Sequence, residues 1–224
     1  MLKYDTVIVG AGPSGIFTAL EMIRMGSTKK VALIEQGKPI EERYCPKTVT
    51  KQCVNCKPHC HITTGFSGAG AFSDGKLSLS SEVGGTLPDL LGDELVRETI
   101  EYTDNIYLEF GADSHVEGVD NSEKVKQIRK NAIQAGLKLV DCPIRHLGTE
   151  KAQELYLSIE KFLIKNGIEI YFEYECTNII LDGASCLGVY ITNGKQELEI
   201  RAAHTVIATG RRGADWLESI CAEH

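Results

Sequence analysis

The apolar positions near the start of the chain follow two patterns in turn. A continuous apolar run at Val7–Val9 precedes apolar residues at helical spacing from Ile16 to Ile23, and a second continuous run follows at Val31–Ile34. Continuous runs are typical of strands buried on both faces, as in parallel sheets. Gly26 stands where the helix is expected to stop. The pattern predicts a strand, a helix and a second, parallel strand.

Helical spacing dominates the middle of the chain. Residues 86–136 carry two imperfect apolar stripes, and Ser122 is placed to cap the second of the helices that they predict. We expect a short strand at residues 137–140 and a further helix that includes residues 155–163. Because residues 86–136 hold no obvious chemistry, this stretch is interpreted as a helical insertion.

From Ile168 onward the apolar pattern has a period of two, which is typical of strands. The successive strand candidates are IEIYFEY, CTNIILD, CLGVYIT and QELEIR, with turns at Asp182-Gly183 and Asn193-Gly194. We therefore expect an antiparallel β-meander. It leads into an apolar strand, Thr205–Ala208, that ends in a glycine turn.

Together the patterns predict an α/β fold: a Rossmann-like domain with a parallel sheet, a helical insertion and an antiparallel β-meander. Residues 1–84 are expected to form the first part of the domain and to include a cysteine-rich loop. Residues 85–136 are expected to form the insertion. Residues 137–224 are expected to add a helix, the meander and a second ligand-contacting strand to the first domain.

Composition narrows the classes of function. The chain has 224 residues, of which 42% are hydrophobic and 25% charged, and both values are ordinary for a globular protein. Its formal net charge of −7 argues against nucleic acid and anionic membranes as partners. No stretch approaches the roughly 20 apolar residues that cross a bilayer. The 8 cysteines occur without a recognisable secretion signal, so we expect a cytoplasmic protein with thiols or metal ligands.

The turn after the first predicted strand has the glycine spacing that a dinucleotide requires. Gly10 permits a tight turn, Gly12 lets the backbone approach two phosphates, and Gly15 lets the helix pack closely on the strand. The helix N-terminus then offers free N–H groups and the positive end of its dipole. The predicted ligand-binding residues of this turn are Gly10, Ala11, Gly12, Pro13, Ser14 and Gly15.

Polar residues follow the second predicted strand. Glu35 stands 20 residues beyond Gly15, where a carboxylate accepts hydrogen bonds from ribose hydroxyls and repels a 2′-phosphate. Gln36 comes next, and we include it in the site. Arg43 is expected either to pair with a ligand phosphate or to form an exposed ion pair with Glu41 and Glu42.

Residues 45–61, CPKTVTKQCVNCKPHCH, are rich in cysteine and histidine. Four thiolates suit zinc or an iron–sulfur cluster, although their spacing matches neither ferredoxin pattern. Redox-active thiols of a CxxC pair and a loop without chemistry are the alternatives. The candidate metal ligands are Cys45, Cys53, Cys56 and Cys60.

A second glycine-rich stretch, residues 65–76, also predicts a ligand site. Glycine costs backbone entropy, so 4 glycines in residues 65–75 indicate close approach of the backbone to a ligand. The residues predicted to face the ligand here are Gly68, Gly70, Ala71, Ser73, Asp74, Gly75 and Lys76. The turn after the last strand supplies a third group from the opposite side, namely Ala208, Thr209 and Gly210.

These motifs resemble those of the two-dinucleotide-binding-domain flavoproteins, which have the glutathione-reductase-type FAD fold. The stretches ERYCP, CxxCKPxC, GFSGAGAFSDGKL, RHLGT and ATGRRGADWL are similar to those of a family of uncharacterised bacterial FAD-dependent dehydrogenases. The resemblance implies FAD bound by the glycine turns and Glu35. It also implies a longer protein, because such flavoproteins continue past the second glycine motif. This chain then corresponds to an N-terminal half that binds FAD weakly or together with a C-terminal partner chain.

Three functions fit this sequence. The first is an FAD-dependent oxidoreductase that acts on an unknown small molecule or redox protein. The second is an NAD-binding Rossmann enzyme, since Glu35 fits either ribose. The third is a non-enzymatic remnant of the FAD fold, like some prenyl-protein chaperones. The catalytic residues are unknown; Asp74, Lys76 and His146 are the only candidates, and Arg145 and His146 are more simply structural.

Overall fold

A computed structural model describes residues 1–73, 75–119 and 122–224. The chain divides into two compact units, of which the first comprises Met1–Phe72 and Tyr156–His224 and the second Ser73–Leu155. The strands are β1 Leu2–Val9, β2 Val31–Glu35, β3 Lys76–Ser78, β4 Ile144–His146, β5 Ile168–Phe172, β6 Glu175–Asp182, β7 Ser185–Thr192 and β8 Glu197–Ile207. The helices are α1 Pro13–Arg24, α2 Lys47–Thr50, α3 Leu87–Leu91, α4 Asp93–Glu109, α5 Glu123–Gln134, α6 Thr149–Lys165 and α7 Ala214–Glu223.

A six-stranded sheet with the order β5-β2-β1-β8-β7-β6 forms the centre of the first unit. The strands β5, β2, β1 and β8 are parallel, whereas β7 is antiparallel to both β8 and β6. All five residues of β2 are buried, as the continuous apolar run predicts. Helix α1 buries Ile16, Ala19 and Leu20. The predicted α/β fold with a parallel-dominated sheet is therefore confirmed.

The predicted meander is wrong at its two ends. The stretch IEIYFEY becomes β5, which pairs in parallel with β2 and not with the meander. It follows helix α6, and a strand that returns through a helix runs parallel to its partner. The stretch QELEIR and the strand predicted at Thr205–Ala208 are not separate strands, because β8 runs unbroken from Glu197 to Ile207. Its first residues pair with β7, and its residues from Ile200 onward pair with β1.

The second unit contains a small antiparallel pair of strands, β3 and β4, together with α3, α4 and α5. Ser122 caps α5 as predicted, since its hydroxyl accepts the N–H of Val125. The predicted strand at residues 137–140 is absent from the described structure; the strand of this region is β4. Leu137 is 66% exposed and therefore has no core against which a strand would pack.

A buried arginine organises this second unit. The Arg145 guanidinium binds both carboxylate oxygens of Asp104, at 2.5 and 2.6 Å, and also donates to the carbonyl of Asp113. Such fork-to-fork pairs are strong and directional. The structural interpretation of Arg145 is thus confirmed. None of the described helices is long and apolar enough to cross a membrane.

Candidate functional site

The first unit has a cleft of about 710 Å³ where its parallel strands end. Val9 at the end of β1, Glu35 at the end of β2 and Ala208 just after β8 all line it. Ligands of open α/β sheets bind at these carboxyl ends of the strands. The volume also lies within the range of small-molecule sites, roughly 300–1,000 Å³. The cleft is therefore the candidate ligand site.

The first glycine turn is built as its spacing predicts. Gly10 has a φ of 104°, and a Cβ there would stand 2.4 Å from the carbonyl oxygen of Ala208. A Cβ on Gly15 would stand 1.9 Å from the carbonyl oxygen of Gly10, so only glycine lets α1 approach the turn. A Cβ on Gly12, by contrast, would have no atom of the described residues within 4 Å apart from its chain neighbours. Two of the glycines serve packing, and Gly12 borders open space in the cleft.

Helix α1 presents an uncapped N-terminus to this space. Its N-cap is Gly12, which has no side chain to accept a hydrogen bond, and its first turn has no acidic residue. The first intrahelical bond runs from the Ile16 N–H to the Gly12 carbonyl at 3.0 Å. The earlier N–H groups have no helical acceptor, and they lie at the positive end of the dipole. This end of α1 favours an anionic ligand.

Glu35 forms the side of the cleft next to the turn. The carboxylate is buried and accepts the N–H of Ala11 at 3.0 Å on one oxygen and that of Gly37 at 2.8 Å on the other. A carboxylate oxygen accepts more than one hydrogen bond, so both oxygens keep capacity for ribose hydroxyls. Glu35 thus stabilises the glycine turn and lines the cleft at the same time.

The second glycine-rich stretch docks on the first turn through its backbone. The Ser67 N–H donates to the Ala11 carbonyl at 2.7 Å, and a Cβ on Gly68 would stand 4.0 Å from the Cα of Gly12. Ser67 is fully buried, has a φ of 70°, and accepts the N–H of Ala71 on its hydroxyl. The two glycine loops therefore border the same part of the cleft.

Arg43 does not have either of the roles that the sequence suggested. It is 4% exposed, which excludes the exposed ion pair with Glu41 and Glu42, and it does not belong to the cleft wall. Its guanidinium donates to the carbonyls of His61, Phe66 and Gly68 at 2.8, 2.5 and 2.7 Å. Burial lowers the pKa of Arg43 to about 10, so the side chain stays charged at neutral pH.

The turn after β8 closes the opposite side of the cleft. The Ala208 N–H donates to the Val9 carbonyl at 2.8 Å, and Gly210 has a φ of 57°. Arg211 and Arg212 follow directly and line the cleft. Two guanidinium groups at the rim favour an anionic ligand in a chain whose net charge is −7.

The predicted ligand-binding residues divide into four groups. Those that line the cleft are Gly10, Gly12, Pro13, Ser14, Glu35, Gln36, Gly68, Gly70, Ala208, Thr209 and Gly210. Ala11, Gly15, Arg43 and Ala71 are buried and do not belong to the cleft wall. Ser73, Gly75 and Lys76 belong to the second unit, where Lys76 pairs with His146 in the β3–β4 ladder. Asp74 lies outside the described residues.

Several residues of the cleft wall are not among those predicted from the sequence. They are Thr63, Thr64, Tyr174, Glu175, Cys176, Arg211, Arg212 and Trp216. The Thr64 hydroxyl is buried and has no hydrogen-bond partner within the described part of the chain. Only Arg211, Arg212 and Trp216 had a signal, because they stand in the stretch ATGRRGADWL that includes the last glycine turn. The others carry no motif, and only the fold brings them to the cleft.

The cysteine-rich loop does not form the predicted metal site. Cys53 and Cys60 are exposed, and Cys45 and Cys56 are partly exposed free thiols. Across residues 1–73, 75–119 and 122–224, no three His, Cys, Asp or Glu side chains are grouped to hold a metal ion. The spacing brought the thiols close in sequence, but it did not fix the directions of their side chains.

One thiol of this loop has a shifted pKa. The hydrogen bond from the Ile62 N–H, with others from Thr63, holds the pKa of Cys60 below its usual value.

Comparisons with known proteins find one matching family model and several solved structures of similar fold. The model of the FAD binding domain family matches residues 93–224, which is more than half of the chain. A 3-ketosteroid-Δ4-(5α)-dehydrogenase from Rhodococcus jostii has a similar structure, with a TM-score of 0.56 and 16% identity over 93% of this chain and 46% of that one. A glycine oxidase from Bacillus cereus gives a TM-score of 0.54 and 17% identity over 96% of this chain and 59% of that one.

A shorter sequence similarity also exists. An uncharacterized protein from Clostridium beijerinckii is 39% identical over 79 residues, which are 34% of this chain and 14% of that protein. The structural similarities, at this level of identity, show the fold. The chain spans about half of the structurally similar proteins and a seventh of its curated relative.

Proposed function

The chain belongs to the FAD binding domain family, and on this basis we propose that its cleft holds the FAD of an oxidoreductase. The single observation that carries the proposal is the open space in front of Gly12, where the N-terminus of α1, Glu35 and the second glycine loop meet. A glycine turn that has no Cβ on the ligand side, followed by the N–H groups of a helix N-terminus, suits a pyrophosphate.

The residues of the cleft fit the parts of FAD. The Glu35 carboxylate would accept the adenosine ribose hydroxyls, and the N–H groups of α1 would bind the pyrophosphate oxygens. The Thr64 hydroxyl, which is buried without a partner among the described residues, would gain one from the ligand. Arg211 and Arg212 would add positive charge at the rim.

The reaction would be a transfer of a hydride or an electron pair. Bound flavin supplies this redox chemistry, and the protein supplies position, electrostatics and exclusion of water. We propose the oxidoreductase class because structurally similar chains include a dehydrogenase and a glycine oxidase. We assign no catalytic residue, and we propose a small molecule or a redox protein as substrate. Asp74, Lys76 and His146 remain the catalytic candidates.

The same proposal extends to the subfamily of the protein, to a region that completes the flavin site and to the location of the protein in the cell. The motifs support membership of the uncharacterised bacterial FAD-dependent dehydrogenases with the glutathione-reductase-type fold. Since the chain spans about half of similar structures, we propose that a C-terminal region or partner chain completes the flavin site. We also propose a cytoplasmic location, because all 8 cysteines are free thiols.

The visible absorption spectrum of the purified protein tests the proposal. We expect a flavin spectrum, either as purified or after FAD is added and free ligand is removed. The same experiment with NAD tests the alternative, an NAD-binding Rossmann enzyme. We expect the protein to retain no NAD. A protein that retains no FAD, alone or with its C-terminal region, would overturn the proposal.

A further inference from the structure

Arg43 is a buried cation whose environment the proposed function does not yet explain. Its guanidinium donates to the carbonyls of His61, Phe66 and Gly68. The Cζ atom of Arg43 lies 4.5 Å from the centre of the Phe72 ring. None of the ion pairs found among residues 1–73, 75–119 and 122–224 includes Arg43. Buried charges are normally paired with an opposite charge.

Two of the three carbonyls that Arg43 binds, those of Phe66 and Gly68, belong to the loop at residues 65–68, which forms part of the cleft wall. Gly65, Ser67 and Gly68 line the cleft, and Arg43 holds this segment from its buried side. A Cβ on Gly65 would stand 2.7 Å from Arg43 Cδ, so the loop passes directly over the side chain. The conformation of this loop therefore depends on the guanidinium.

The Arg43 guanidinium lies behind the loop that lines the cleft, so its charge acts on a ligand in the cleft. Glu35 and Glu160 are the carboxylates whose charges act on it, without an ion-pair contact. A positive charge behind a thin backbone wall, in a medium of low dielectric constant, acts on an anion on the other side more strongly than it would in water. The negative groups that already act on Arg43, Glu35, Cys60 and Glu160, make no ion-pair contact with it, and a pyrophosphate in front of Gly12 would add further negative charge.

We propose that Arg43 is a positioning residue for the dinucleotide. It fixes the loop at residues 65–68 opposite Gly12, and it adds positive charge behind the loop for an anionic ligand. This inference rests on the proposed function, since it concerns the same cleft. In this role Arg43 does not contact a phosphate directly. It affects binding of the ligand through the loop.

The geometry separates arginine from lysine at this position. Three carbonyls are bound by three different nitrogens of one planar group, a fork that the single ammonium of lysine does not reproduce. Arg43→Lys keeps the charge and loses the fork, whereas Arg43→Met loses both. Arg145→Lys is the matched control, because Arg145 is also a buried arginine that binds a backbone carbonyl, but in the second unit.

The experiment measures the Kd for FAD by flavin fluorescence, well below the melting temperature of each variant. We expect Arg43→Lys to raise the Kd about tenfold or more, equivalent to about 1.4 kcal/mol, and Arg43→Met to raise it further. Arg145→Lys should lower the melting temperature and leave the Kd within about twofold of the original. We also expect the circular dichroism of bound flavin to change in Arg43→Lys but not in Arg145→Lys.

The outcomes distinguish the two proposals. If the unchanged protein binds no FAD, alone or with its C-terminal region, the proposed function fails, and the positioning role fails with it. If it binds FAD and Arg43→Lys binds it equally well with the same flavin spectrum, the positioning role is overturned, even if the variant melts at a lower temperature. Should Arg43→Met fail to fold, Arg43→Lys carries the test, because it retains the buried charge.

Discussion

The backbone N–H of Ser67 donates a hydrogen bond of 2.7 Å to the carbonyl of Ala11. This bond joins two glycine-rich loops that are more than 50 residues apart in sequence. Because Ala11 in turn donates its N–H to Glu35, one continuous set of hydrogen bonds connects both loops and the acidic residue. The site is therefore a single unit, and changes on either loop should affect one ligand.

Alanine substitutions at two glycines of the first turn should have different effects, one on FAD binding and the other on the stability of the fold. A Cβ fits in the open space at Gly12, whose φ of −77° is ordinary, so Gly12→Ala should leave the melting temperature unchanged and raise the Kd for FAD about tenfold. Gly15→Ala should destabilise the fold by about 1–3 kcal/mol, because its Cβ meets the Gly10 carbonyl. Thermal melts and FAD titrations of both variants check this; equal effects on both properties would contradict it.

Thr64→Val should have opposite effects on the free and the bound protein. The buried hydroxyl has no partner in the described residues, and such a group costs about 1–3 kcal/mol. Its removal should leave the free protein as stable or slightly more stable in chemical denaturation, and it should weaken FAD binding. A variant that is less stable without FAD yet binds FAD normally would show that the hydroxyl has a structural partner instead.

The thiols should react with iodoacetamide in a defined order. Hydrogen bonds from Ile62 and Thr63 lower the pKa of Cys60, so more of it is thiolate at neutral pH and it should be labelled before Cys53, which is also exposed. Burial raises the pKa of Cys176 to about 12, so it should be labelled last. Peptide mapping by mass spectrometry during the reaction gives the order, and faster labelling of Cys53 would contradict it.

Glu160 should make the fold more stable when it is neutral. Burial raises the pKa of its carboxyl, and the buried group accepts the N–H of Ile40 at 3.1 Å. A carboxyl with a raised pKa in the folded state costs stability at pH values above that pKa and costs none below its unfolded value. Glu160→Gln should therefore raise the melting temperature at pH 8 and have little effect at pH 4. A loss of stability at pH 8 would show that the charge is needed beside Arg43.

Features that depend on neighbouring residues could be predicted from the sequence. The β1–α1–β2 unit and the roles of Gly10 and Gly15 were predictable, because apolar periodicity and glycine spacing act over a few residues. The partner of β5 was not, since β2 lies more than 130 residues away in sequence and periodicity carries no pairing information. Arg43 was misassigned for a similar reason: the carbonyls that it binds belong to a loop whose path the sequence does not reveal.

Hydrogen exchange measured by mass spectrometry, with and without FAD, shows directly whether the dinucleotide occupies the cleft between the two glycine loops. If the dinucleotide occupies the cleft, amide exchange should slow in residues 10–16 and 64–70 together, because both loops border the same ligand. The helices α4 and α5 of the second unit, which contribute no residue to the cleft wall, serve as the internal reference. Protection of both loops by FAD is the predicted result. Binding of FAD that leaves exchange in both loops unchanged would contradict the account.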